Sequence, residues 1–526
     1  MTAKRTLVCL LLLASVYLLY WPHAELVSDD WLQLQFYRDH QVRGFAGQLE
    51  LARTLMQNRL YPQFQVSWLS HLIDSLVIWA AGYAPRLLYS LALLVHLANA
   101  FLFYRLLARL RVAASLALAA GACFLVIPTA HNVLFWFLNN GFYRLPPLFL
   151  LLFWLSLVRT LNDGRLVVRS ACWQAVLVLA VLFSGGAPSF HLLFFAGPWI
   201  AVCFFPRERW KLAAQATALH WTILVLALAV YVRFGSAIPP DVGARYDFSS
   251  DFFLWNARNS WGHLVGMVRI YSPVGLEVAP LTAALLALLV VFVGTAGGLE
   301  PGPTRRAPLF AAGMLLLACG PLLFLAGRTL RHYYTLSPYL ALLLMSLLWM
   351  LPVRRLAAGL LCAWFAAGTV AEMQQSWIPQ SRHVQALKTG LRSLRHLEPG
   401  DRIVIPGTPW VIGSAQNFVL ILNTWAGNFA RHVTGVPNLE FWREIVVEQG
   451  LLRFYHRTTM RTTSPEEISG RTHILLGPPE GPYRPARYWV DPLASNRAHP
   501  LKDDAPGDTI YTPKPFDPHH PQYRLY

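Results

Sequence analysis

The chain has 526 residues, with 44 Lys and Arg against 27 Asp and Glu, 55% apolar side chains and only 13% charged ones, about half the charge of an ordinary soluble domain. That composition excludes an ordinary soluble protein. A net charge of +17 would suggest nucleic acid in a soluble chain, so the place of the positive charge decides its meaning.

Apolar runs near the roughly 20 residues that cross a bilayer as a helix recur along the first 370 positions. They predict a polytopic α-helical membrane protein with about 11 transmembrane helices, near 6–22, 87–107, 113–128, 145–160, 171–184, 189–206, 213–232, 278–296, 309–326, 335–351 and 356–371. With the N-terminus inside, the inner pieces carry fifteen basic residues, Arg105, Arg159, Arg169, Arg209 and Arg354 among them, against Asp163, Glu208 and Glu300. The positive-inside rule therefore accounts for most of the +17, and no nucleic-acid partner is expected. Lys4-Arg5 before the first apolar run resembles a signal-peptide start. Trp21-Pro22-His23-Ala24-Glu25 offers no small-x-small cleavage site, so the segment reads as an uncleaved helix. All six cysteines fall inside predicted spans, which leaves no disulfide or zinc framework for the outer loops. The chain contains no Asn-x-Ser/Thr acceptor, which fits a bacterial inner (plasma) membrane.

The first outer loop, 23–86, holds Ser28-Asp29-Asp30-Trp31. Two adjacent acids near the bilayer surface suit a general base and a partner that binds a cation or a hydroxyl. The same spacing suits a helix N-cap, with Ser28 or Asp29 capping 31–38. Segment 67–82 alternates Ser67, Ser70, His71, Asp74 and Ser75 with Trp68, Leu72, Leu76 and Trp79 at helical spacing, and reads as an amphipathic helix lying on the membrane.

Later outer pieces carry the other polar candidates. His131, Asn132, Asn139, Asn140 and Arg144 share one turn, where they either face a sugar or cap helix ends. Loop 233–277 offers Arg245 and Arg258 among aromatics, a mix that suits lipid headgroups and sugars as well as an interfacial belt. Arg331 lies where positive-inside sorting does not place it, followed by His332 and Tyr334. An arginine is always charged and holds phosphate oxygens with two donors. After Glu372 the apolar runs shorten to strand length, as in 402–407 and 473–479, with helix-like 382–397 and 437–450, which predicts a C-terminal extracytoplasmic α/β domain over 373–526. Its tail, with His519-His520, reads as extended chain.

Several of these segments resemble a known family. Tyr83–Arg105, with its His96-Leu97-Ala98-Asn99-Ala100 core, is similar to the second span of GT-C superfamily glycosyltransferases. Ile127-Pro128-Thr129-Ala130-His131 with Gly141-Phe142-Tyr143-Arg144 resembles their turn between the third and fourth helices, and Arg331-His332-Tyr333-Tyr334 their late Arg-Tyr-x-Tyr turn. The resemblance implies a GT-C-like catalytic module over 1–372 that moves a sugar from a polyprenyl-phosphate carrier to a glycan, lipid or protein acceptor at the outer face, with inversion. It implies Asp29 as the catalytic base, Asp30 as the second acid, and Arg331, His332, Tyr334, His131, Arg144, Arg245 and Arg258 as candidates for donor phosphate and sugar. A divalent cation, magnesium or manganese, at Asp29 and Asp30 is compatible with it. Two departures stand out: Ser184-Gly185-Gly186-Ala187-Pro188 replaces a Lys-Glu pair, and Leu330 replaces an acid before the late turn. The alternatives are a lipid-carrier flippase or transporter, disfavoured by the lack of Asp or Glu in any predicted span, and a polysaccharide polymerase or ligase.

Overall fold

A computed structural model of the chain describes residues 3–234, apart from 28–29, 42–43, 57–61, 128–129, 139–140, 186–192 and 194–195, then 302–319, 334–406 and a set of strands and one helix beyond. In chain order the helices are α1 (Ala3–Ala14), α2 (Asp30–Gln41), α3 (Gly44–Met56), α4 (Pro62–Ala81), α5 (Pro85–Arg109), α6 (Ala114–Val126), α7 (His131–Phe135) and α8 (Gly141–Asp163). They continue with α9 (Val168–Ser184), α10 (Ala196–Phe204), α11 (Trp210–Phe234), α12 (Pro303–Cys319), α13 (Ser337–Leu348), α14 (Arg354–Glu372), α15 (Ile378–Ser393) and α16 (Asn423–Thr434). Two compact units result: Met1–Trp21 with His40–Ala371, and Pro22–Asp39 with Glu372–Tyr526.

The first unit is helical. Among the described residues, α5, the Tyr143–Asp163 part of α8 and the stretch Arg354–Ser393, whose residues from Glu372 on belong to the second unit, are long and apolar enough to cross a membrane, and α6, α9 and α13 are shorter apolar helices. The expected span 278–296 and the end of 309–326 lie outside the described residues. The expected span 6–22 is α-helical only to Ala14 and continues as a 3-10 helix over Ser15–Leu19. The longer rise of the 3-10 turn still gives this segment a length of roughly 28 Å.

Local sequence sets the ends of the central helix. Pro85 opens α5 at a position whose N–H has no helical partner, and Arg111 stops the chain just beyond it with φ +60°. The core of the unit is α5 packed on α6 and α8, with α13 against α6 and α9 against α8. Gly121 sets the α5–α6 approach, since a Cβ there would stand 3.2 Å from the Ala100 carbonyl and 3.4 Å from Tyr104 Cβ.

Helix α4 departs from the surface-helix expectation. Its polar side turns inward: Ser67, Ser70, His71 and Ser75 are buried, whereas Leu76 and Trp79 are exposed. Two of the inward hydroxyls find protein partners, Ser70 donating to the Ser184 carbonyl at 2.8 Å and Ser75 to Gln48 Oε1 at 2.9 Å. Satisfied hydroxyls lose little on burial, so the apolar side is free to face outward.

In the second unit the strand Arg402–Val404 runs parallel to Glu440–Trp442 on one side and to Thr472–Leu476 on the other, with Arg484–Pro485 antiparallel at the edge. Its inward residues Ile403, Val404, Phe441, Ile474 and Leu475 are buried. The helix-like expectation over 437–450 is corrected: Glu440–Trp442 and Glu444–Glu448 are strands, and helix α16 precedes them. Gly435 (φ +79°) and Asn438 (φ +57°) break the helix before the Ile445-Val446-Val447 run, whose branched side chains favour a pleated strand. Residues 22–39 join this unit through Glu25, bonded to Lys388 Nζ at 2.6 Å, and through Trp31, whose ring lies 4.9 Å from that ammonium and 4.9 Å from the Phe429 ring.

Candidate functional site

Three of the sequence candidates, His131, Arg144 and Tyr334, meet at one end of the helical unit. Periodicity puts His96 and Asn99 three apart and so on one face of α5, and both side chains are buried. His96 Nε2 lies 2.9 Å from the Leu125 carbonyl, which requires that nitrogen to donate, so Nδ1 accepts the Tyr334 hydroxyl proton at 2.8 Å. The Asn99 amide then donates to the Tyr334 oxygen at 3.2 Å and to the Arg144 carbonyl at 3.1 Å. Tyr17 donates to the same Leu125 carbonyl at 2.8 Å, and Tyr89 to the Tyr17 carbonyl at 2.9 Å. Five segments far apart in sequence are thereby tied by directed bonds, each worth about 0.5–1.5 kcal/mol net. Asn99 Oδ1 is buried without a hydrogen-bond partner among the described residues.

Beside this buried network stand Arg144 and His131. Arg144, in the first turn of α8, donates from Nη1 to the Val133 carbonyl at 2.9 Å and is buried. His131 opens α7 and donates from Nε2 to Thr369 Oγ1 at 2.9 Å, while that hydroxyl donates to the Phe365 carbonyl at 2.8 Å. Burial holds the His131 ring down at a pKa of about 3, so it is neutral at physiological pH. The His131 ring thus joins the start of α7 to Thr369 of α14.

Asp74 is the residue that the sequence did not offer as part of a site. Its half-buried carboxylate lies against Gly141, filling the space a side chain would take there, at the start of α8 and close enough to Arg144 to feel its charge. Burial raises its pKa from 3.8 to about 7, and the Arg144 guanidinium opposes part of that rise. The signal in the sequence was one acid on the polar side of α4, with nothing to link it to an arginine 70 positions on.

Asp30 is the first residue of α2 in the second unit and is fully buried. Its Oδ2 accepts the Val27 N–H at 3.3 Å, and its own N–H donates to the Val27 carbonyl at 3.1 Å. Asp30 is thus bonded twice to Val27, a capping arrangement at the start of α2. Asp29, Arg331, His332, Arg245 and Arg258 lie outside the described residues. Among the described residues no three His, Cys, Asp or Glu side chains gather in a metal-binding group.

No protein-family model matches the chain, and no curated protein matches it in sequence.

Proposed function

We propose that the chain is an inverting membrane glycosyltransferase of the GT-C type, taking its sugar from a polyprenyl-phosphate carrier. The observation that supports this reading is the convergence of His96, Asn99, Arg144 and Tyr334, drawn from the three segments that resemble the family, into one hydrogen-bonded cluster. The eleven-span topology belongs to the same proposal. Helix α8 runs from the cluster to the basic Arg159–Arg169 end, and the positive-inside rule puts that basic end in the cytoplasm. The cluster then faces the outer leaflet, where a lipid-linked donor is presented.

In this proposal Asp29 takes the proton of the acceptor hydroxyl while its oxygen attacks the anomeric carbon. The bond from that carbon to the carrier's phosphate oxygen breaks, and the phosphate leaves with the electron pair. Such a base contributes about 10²–10⁴-fold. The developing phosphate charge needs fixed cations, a role given to Arg331, three residues before the anchored Tyr334, and to Arg144. Asp30 acts through its bonds to Val27. The proposal assigns no step to a divalent cation. Asp29 and Asp30 are donors of the kind that magnesium or manganese takes, so the assay includes a chelator arm.

The test is donor binding and turnover by the purified full chain in nanodiscs. Arg331→Ala is expected to weaken donor binding and slow turnover together. Wild-type kinetics in that variant would remove its phosphate role, and tight carrier binding without turnover of any donor would favour a flippase.

A further inference from the structure

At the end of α8 farthest from the cluster, the α8–α9 turn opens a cavity of about 680 Å3 lined by Ser156, Thr160, Arg165, Arg169, Cys172 and Trp173 among others. Arg159 also lines it, paired with Asp163 at 3.8 Å, and the Arg209 guanidinium lies against Gly164, whose positive φ and lack of a side chain make room for it. Arg165 and Arg169 form no ion pair among the described residues. The floor is polar and buried: Thr160 and Ser170 hydroxyls lie 2.9 Å apart, and the Gln174 amide donates into them while His220 Nε2 donates to Gln174 Oε1 at 2.9 Å. The flank is apolar and open, with Val168 79%, Trp173 50% and Val176 55% exposed. Residues 169, 172, 173 and 176 share one face of α9, so the guanidinium rim passes directly into this apolar stripe.

We propose that this cavity binds an anionic phospholipid of the leaflet that meets this end of the helices. The phosphate diester lies on Arg165 and Arg169, its ester oxygens reach the Ser156 and Thr160 hydroxyls, and an acyl chain runs along Trp173 and Val176. Positive-inside sorting accounts for arginines at this end, but not for a cavity with a hydroxyl floor beneath them and an exposed apolar stripe beside them. Basic pockets between transmembrane helices are the kind of site that holds anionic headgroups. The inference is independent of the proposed transfer reaction, which takes place at the opposite end of α8.

The test uses the purified full chain in phosphatidylcholine nanodiscs, with phosphatidylglycerol added in steps. Maleimide labelling of Cys172, exposed and in the cavity wall, is read by peptide mass spectrometry against Cys9, which is exposed elsewhere. Phosphatidylglycerol is expected to slow Cys172 labelling and leave Cys9 unchanged, whereas millimolar inorganic phosphate leaves both unchanged. The Arg165→Gln/Arg169→Gln variant should need roughly 30-fold more phosphatidylglycerol for the same protection, the equivalent of two cationic contacts. Equal labelling of Cys172 with and without phosphatidylglycerol in the wild type overturns the proposal, whatever the variant does. Protection by inorganic phosphate alone would overturn it in favour of a free-phosphate site.

Discussion

Asp74→Asn removes a carboxylate whose ionisation the native state resists. An acid with its folded pKa raised from 3.8 to about 7 favours the native state below pH 3.8 and loses that contribution as pH rises through 7. Full conversion of that difference gives a ceiling of about 4 kcal/mol. The side chain is only half-buried and Arg144 lies nearby, so screening lowers the expected effect to roughly 1–2 kcal/mol. The variant should therefore gain stability over the wild type between pH 4 and pH 7, and the gap should level off above that. Thermal unfolding in detergent, followed at pH 4.5, 6, 7 and 8.5 for both proteins, reads the gap directly. Other titrating groups cancel in the difference. Parallel stability curves across this range would refute the placement of Asp74, and a gap that widens as pH falls from 7 to 4.5 would reverse its sign.

Further predictions follow from other bonds. Glu25→Gln leaves the Lys388 ammonium buried without its 2.6 Å partner and should cost about 3–5 kcal/mol in chemical unfolding, most of it recovered by adding Lys388→Met. Tyr334→Phe strips His96 Nδ1 of its donor and Asn99 of an acceptor. A loss of roughly 1–3 kcal/mol is expected, together with slower turnover, measured as thermal stability and sugar release side by side. Gly121→Leu must push α6 off the Ala100 carbonyl and should lower stability by about 1–3 kcal/mol or more, whereas Gly359→Ala, with open space at its Cβ, should be silent.

Composition made the helical unit legible because long apolar helices leave few other uses for such runs. Periodicity also showed that α4 has two faces, but not which one turns inward. Next to other helices its serines find partners in Gln48 and the Ser184 carbonyl, and its apolar side is left outside. The segments that hold His96 and Asn99, Arg144 and Tyr334 were visible as motifs. Their meeting required tertiary packing, since 235 positions separate Asn99 from Tyr334. Asp30 illustrates the limit of local reading: Ser28-Asp29-Asp30 suits an acid pair as well as a cap by Ser28 or Asp29, and the bond from the Val27 N–H to Asp30 Oδ2 belongs to neither pattern. At 437–450 the positive-φ residues Gly435 and Asn438 end α16, and the chain continues as strands Glu440–Trp442 and Glu444–Glu448.

The most direct measurement of the central claim is sugar release from a panel of radiolabelled polyprenyl-phosphate sugars by the purified chain in nanodiscs, wild type beside Asp29→Asn, with and without chelator. The account predicts release by the wild type and a loss of roughly two to four orders of magnitude in the variant, with folding unchanged. Release that ignores Asp29 would contradict the assigned base, and no release from any donor would contradict the transferase itself.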